Sequence, residues 1–244
     1  MFASVSYGGF GVIMAEIKIK SLDGQEFSAY VAAPAVASGP SVLVVHEIFG
    51  VSDGMRAVCD RLAENGYIAV CPDLFWRLEP NMRLSDKNAD DVSRGFDLYK
   101  HFDMEAGVRD ILATIAYMRK MPHCNGSVGV VGYCLGGKLA CLAAARSDVE
   151  CAASYYGVGI DTMLDEFSDI RQPLLLIFVE NDKLVSSVAK EKIMAAAKRN
   201  PVVQTDVYVG EHAFALPGGP HFDATLAEQA DSKVLAFLNE YLHG

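Results

Sequence analysis

Three residues have the types and the chain order that nucleophilic catalysis requires. Cys134 stands in Gly132-Tyr133-Cys134-Leu135-Gly136, between an apolar run and an amphipathic one. This is the G-x-S-x-G elbow with cysteine in the serine position, where small neighbours let one side chain stand on a strained strand-to-helix turn. A helix N-terminus at such a turn favours a thiolate, and its N–H groups can stabilise an oxyanion. The elbow demands an acid and then a histidine further along the chain. Asp182, in Glu180-Asn181-Asp182-Lys183, follows one apolar run; His212, in Gly210-Glu211-His212-Ala213-Phe214, follows another. The implied chemistry is attack of a thiol on a carbonyl, with His212 as base and Asp182 holding its tautomer.

Each of these residues has a plainer reading. Gly132 to Lys138 also fits the start of the phosphate loop G-x-x-x-x-G-K, but the next position must be Ser or Thr to ligate magnesium, and here it is Leu139. The glycine spacing does not fit the dinucleotide fingerprint. Cys134 could be a buried thiol in a glycine-rich corner. Asp182 could be a turn or cap residue, with Glu180 as the alternative acid. His221 is the nearest rival to His212, set in a Pro-Gly-Gly-Pro turn farther from its strand. What favours the catalytic reading is the order, with each residue directly after its own strand.

The positioning elements are legible as alternating strands and helices. Apolar runs predict strands over Ser41–Val45, Tyr67–Cys71, Ser127–Val131, Cys151–Tyr155, Leu174–Val179 and Val202–Val209. Amphipathic segments predict helices over Gly54–Asn65, Glu105–Met121, Leu135–Arg146, Ser187–Arg199 and Ala224–Leu242. Ahead of them, Glu16–Lys20 and Glu26–Ala33 flank Asp23-Gly24 as an antiparallel hairpin. The pattern is α/β: a mostly parallel sheet with helices on both faces, whose ligands lie beyond the carboxyl ends of the strands. Leu78–Phe102, polar with a short helix, interrupts the rhythm as a lid or substrate wall. Residues 1–13 read as an extension, loosely packed or disordered, and 14–244 as a single domain.

The bulk properties narrow the partners. The chain has 244 residues, 51% of them apolar, and a net charge of −10. That charge argues against nucleic acid, which needs clustered Lys and Arg. The longest apolar runs are too short to cross a bilayer, and the N-terminal residues lack the basic start of a signal peptide. The six cysteines form no CxxC pair, so they read as reduced thiols of a cytoplasmic protein. No His/Cys spacing suits a metal, no cofactor is expected, and a monomer is slightly favoured.

With these residues placed, the chain resembles the dienelactone hydrolase (carboxymethylenebutenolidase) family of the α/β-hydrolase fold, from about Ile17 to Leu242. The resemblance rests on His46-Glu47-Ile48-Phe49-Gly50, Cys71-Pro72-Asp73-Leu74-Phe75, Phe102-Asp103-Met104-Glu105-Ala106-Gly107-Val108, Val131 to Gly137, Tyr155-Tyr156-Gly157-Val158-Gly159 and Gly210 to Ala215. It implies a Cys134–Asp182–His212 triad and adds Glu47, a carboxylate that exchanges partners with the resting thiol. It also implies an oxyanion hole at the N–H groups of Leu135 and Ile48, a substrate-carboxylate contact at Arg77 and a pocket wall at Tyr156. The implied substrate is a small ester or lactone. Family members acting on dienelactone carry a second arginine in a His-Ser-Phe-Ala-Arg pattern, where this chain has His212-Ala213-Phe214-Ala215-Leu216. A general carboxylesterase or thioesterase, or a redox-sensing cysteine protein, are the other readings.

Overall fold

The structure is a computed structural model that describes residues 5–7, 11–35 and 38–243. They form two compact units, Met1–Val128 and Gly129–Gly244.

The first unit opens with β1 (Val5–Tyr7), β2 (Val12–Lys20) and β3 (Glu26–Pro34), all antiparallel. Lys20 pairs with Glu26 across the tight turn, and Gly24 there has φ +89°, a conformation cheap only for glycine. Residues 1–4 and 8–10 of the expected extension over 1–13 lie outside the described residues; Val5–Tyr7, Val12 and Ile13 are the strand residues within it. Next come β4 (Gly39–Val45), buried along its whole length, and β5 (Ile68–Pro72), parallel to it. β5 also pairs antiparallel with β3. Helices α1 (Asp53–Glu64), α2 (Ala89–His101) and α3 (Met104–Met118) are capped by Ser52, Asn88 and Asp103, each accepting from N–H groups of the first turn.

The segment Leu78–Phe102, expected to hold only a short helix, holds α2 with 13 residues. Only Gly95 and Leu98 of that helix are buried. Its surface is polar, so its periodicity is faint, and the Asn88 cap with Asp90 and Asp91 in the first turn defines its start.

The second unit is a parallel sheet of β6 (Cys124–Tyr133, paired from Gly129), β7 (Cys151–Tyr155), β8 (Leu174–Asn181) and β9 (Val203–Glu211), in that spatial order. Leu174–Val179 is buried without a break, as expected for a strand covered on both faces. Helices α4 (Leu135–Arg146), α5 (Ser187–Ala197) and α6 (Ala224–Leu242) connect or follow the strands. Since these four strands run parallel, their carboxyl ends share one edge. Strand β8 slips register against β9 between Val179 and Asn181, a bulge that re-aims the residues beyond it. Among the described residues no helix is long and apolar enough to cross a membrane.

Candidate active site

β6 ends at Tyr133 and α4 begins at Leu135, leaving Cys134 alone at the corner. Its φ of 54° and ψ of −112° are strained for a residue with a side chain. The corner is tied on both sides: Cys134 N–H donates to Tyr155 O at 3.1 Å, and Cys134 O accepts from Gly137 and Val158 N–H at 3.0 and 3.1 Å. The glycines are enforced sterically. A Cβ on Gly132 would lie 1.9 Å from Gly136 O, and one on Gly137 would lie 2.7 Å from Gly157 Cα. Cys134 makes no helix-capping bond and is 6% exposed. Leu135 supplies the first N–H of α4, one of the donors that a helix start leaves unpaired.

Asp182 and His212 follow β8 and β9 at the same edge. His212 Nδ1 lies 2.9 Å from Asp182 Oδ2 and 3.1 Å from Oδ1. Asp182 Oδ1 also accepts from Leu184 and Val185 N–H at 2.8 and 3.0 Å, which folds the loop around a carboxylate whose side chain is 1% exposed. Burial pushes the Asp182 carboxyl up, but the His212 bond and charge and those two N–H donors outweigh it and hold the group below its usual range. For His212 burial acts downward, yet the bonds and charges of Asp182 and Cys134 lift it to about 10. A charge on Cys134 raises this imidazole only as a thiolate, so Cys134 and His212 are electrostatically coupled. Nδ1 being taken by Asp182, the buried Nε2 of His212 is the nitrogen left to face the Cys134 thiol.

Tyr156 lies under this edge with φ 40° and is fully buried. Its ring centre is 4.7 Å from that of His212 and 5.7 Å from that of Phe214. Leu216 is 4% exposed in the turn after His212, its N–H donating to Ala213 O at 3.1 Å. The rival His221 is instead paired with Glu211 at 2.9 Å on the surface.

The first unit carries the remaining expected residues at the carboxyl ends of β4 and β5. Glu47 and Ile48 follow β4 and are 2% and 5% exposed. The backbone there is fixed by His46, whose Nδ1–H donates to Glu47 O at 2.6 Å and whose Nε2 accepts from Leu74 N–H at 3.0 Å. Burial holds the His46 imidazole neutral, down to about 4. Arg77 follows β5. It pairs with Asp110 through Nη1 and with Asp23 through Nη2 at 3.0 Å, and its guanidinium lies 4.0 Å over the Trp76 ring.

Sequence reasoning missed two residues around these groups. Asp110, 1% exposed on α3, takes both the Arg77 bond and a 2.8 Å bond from Trp76 Nε1. Lys190, 9% exposed on α5, donates to the carbonyls of Val179 and Glu180 at 2.6 and 2.7 Å, beside the β8 bulge. A buried lysine on the inner face of a predicted helix was the available signal for the second.

The comparisons with known proteins bear on the family and the fold. The profile of the Dienelactone hydrolase family matches residues 27–242. A carboxymethylenebutenolidase of Pseudomonas putida is 39% identical over 91% of this chain and 94% of its own. One from Cupriavidus pinatubonensis is 36% identical over 91% and 95%. A crystal structure from Klebsiella pneumoniae, assigned as a dienelactone hydrolase, superposes with a TM-score of 0.84 at 25% identity, covering 94% of this chain and 99% of that one. The Pyrococcus furiosus esterase Pf2001 shares the fold at a TM-score of 0.74 and 15% identity, covering 99% of each chain. With the profile spanning nearly all of β3 to α6, the chain belongs to the dienelactone hydrolase family, with the α/β-hydrolase fold of an enzyme acting on esters or lactones.

Proposed function

We propose that the protein hydrolyses small esters and lactones through an acyl-enzyme on Cys134, residues 14–244 acting as one α/β-hydrolase domain. The observation that carries the reading is the Asp182–His212 hydrogen bond at the strand edge where Cys134 occupies a positive-φ elbow. Asp182 fixes Nδ1 of the imidazole as a donor, which turns Nε2 toward proton transfer. His212 takes the thiol proton and Cys134 attacks the carbonyl carbon. The N–H groups of Leu135 and Ile48 hold the oxyanion. Collapse expels the alcohol, protonated by His212, and a water activated by the same imidazole then frees the acid. Glu47, desolvated at the end of β4, accepts the hydrogen bond of the resting thiol before His212 takes its proton, and Tyr156 walls the acyl pocket beside His212.

The test is a panel of lactones, aryl esters and thioesters run on wild type and Cys134→Ala. The reading expects turnover of lactones or aryl esters in the wild type and a loss of at least about a thousandfold in the variant. Undiminished turnover in Cys134→Ala would refute it, and turnover confined to thioesters would move the assignment to a thioesterase.

A further inference from the structure

A backbone at φ 54°, as at Cys134, persists only where its surroundings over-determine it. Much of that constraint comes from Tyr155, the last residue of β7. Its carbonyl accepts the Cys134 N–H at 3.1 Å. Its ring lies parallel to that of Tyr133, the residue before the nucleophile, with 4.6 Å between centres and 11° between planes. Toward the histidine loop, the same ring is centred 6.3 Å from Phe214, which follows His212 by two positions. The next residue, Tyr156, is itself held at φ 40° and gives its N–H to Ile177 O on β8 at 2.7 Å. Tyr155 thus joins two strained residues, one bonded to its carbonyl and one beside it in the chain.

The ring is fixed in turn at its far end. The Tyr155 hydroxyl donates to Asp231 Oδ1 at 2.6 Å. Asp231 sits on the inner face of α6, 8% exposed among the buried Ala227, Ala230 and Val234. A carboxyl there is costly to bury unless it meets a donor, and the donor it meets is the hydroxyl of a fully buried tyrosine. Two apolar side chains of similar shape would serve stability about as well. What the bond adds is direction: a stack sets the spacing of two rings, and a hydrogen bond sets where along the stack one of them stands.

We propose that Asp231 is a positioning residue for the hydrolytic site, acting through the Tyr155 hydroxyl to fix the ring stack and the carbonyl that hold Cys134 toward His212. The inference rests on the Cys134 reading and extends the machinery to α6, beyond the triad in the chain.

The experiment follows p-nitrophenyl acetate hydrolysis in Tyr155→Phe, which deletes only the donor, and in Asp231→Ala and Asp231→Asn. The first two should each lower kcat about tenfold and move KM less than about twofold. Asp231→Asn, whose amide oxygen still accepts from the hydroxyl, should recover most of kcat. The double variant Tyr155→Phe/Asp231→Ala should be no slower than the slower single variant, since both remove one bond. Alkylation of Cys134 by iodoacetamide, read on its own peptide by mass spectrometry from the folded enzyme, should slow by a similar factor, because a thiol out of line with His212 is less ionised. A pin that served only stability would lower the urea midpoint and leave that rate unmoved. Wild-type kcat in folded Tyr155→Phe, or an unchanged alkylation rate beside a lowered midpoint, would overturn the proposal. Slowed alkylation with ester turnover that survives Cys134→Ala would keep the positioning of the thiol and defeat the hydrolytic reading instead.

Discussion

The ammonium of Lys190 donates to the main-chain carbonyl of Val179 across 2.6 Å. It bonds Glu180 O at 2.7 Å as well, so one helix side chain fastens the last turn of β8 where its register breaks. Asp182 begins two residues later. The carboxylate that meets His212 is thus aimed by a bulge, and the bulge is held by a buried lysine.

Lys190→Met should therefore lower kcat about tenfold with KM little changed, and cost about 2 kcal/mol of stability by leaving buried carbonyls unmet. Lys190→Arg should recover part of kcat, because a cationic donor returns. Steady-state kinetics on both variants, with urea unfolding, checks this. A Lys190→Met enzyme with wild-type kcat would show that the bulge holds itself.

Asp182→Asn should reduce kcat by about a thousandfold or more, by favouring the wrong imidazole tautomer. The pH profile should move with it. His212 is raised to about 10 in the folded protein from 6.5, so the imidazolium's contribution to stability is complete below about 6.5 and is lost as pH rises through 10. Removing Asp182's charge takes away the first of the raising partners, so the alkaline limb of both stability and activity should shift to lower pH. An unmoved limb would place the titrating group elsewhere.

Gly132→Ala should destabilise the fold by at least about 3 kcal/mol, since its Cβ would sit 1.9 Å from Gly136 O, a backbone atom that cannot swing aside. Urea unfolding measures the loss. A variant as stable as wild type would mean that the elbow can open without cost.

His46 and Asp73 should pull stability in opposite directions as pH falls. His46 is lowered to about 4 from 6.5, so its contribution is present above about 6.5 and is lost as pH falls toward 4. Asp73 is raised to about 6 from 3.8, chiefly by burial, so its contribution is present below about 3.8 and is lost as pH rises through 6. Between these limits the two nearly offset. His46→Gln removes the first alone, so its stability relative to wild type should rise by about 3 kcal/mol from pH 6.5 to 4. A constant difference across that range, measured by chemical unfolding, would contradict the assignment.

The strands that carry Cys134 and Asp182 were legible because covered parallel strands read as apolar runs, and Leu174–Val179 is the clearest example. Strand β9, before His212, is largely part-exposed and mixes Gln204, Thr205 and Asp206 with its valines. Helices α4 and α6 begin and end where their amphipathic periodicity predicts. Helix α2 was underestimated because it buries so little that its pattern is mostly polar. The partners of Arg77 were invisible in one dimension: Asp23 and Asp110 lie 54 and 33 positions away in sequence. An arginine after a strand looks like an anion site until the fold shows which anions are there first. Lys190 was hidden similarly, as a lysine on a helix is usually solvated.

The backbone at Cys134 also limits what the position can become. At φ 54° a side chain branched at Cβ collides with its own main chain, so threonine is excluded as a nucleophile on steric grounds before any chemistry is considered. Serine keeps the unbranched shape and replaces sulfur with a harder atom. The corner is therefore a sieve for the reacting atom, open to sulfur or oxygen on a single carbon, and a change of nucleophile in this scaffold must pass through that exchange.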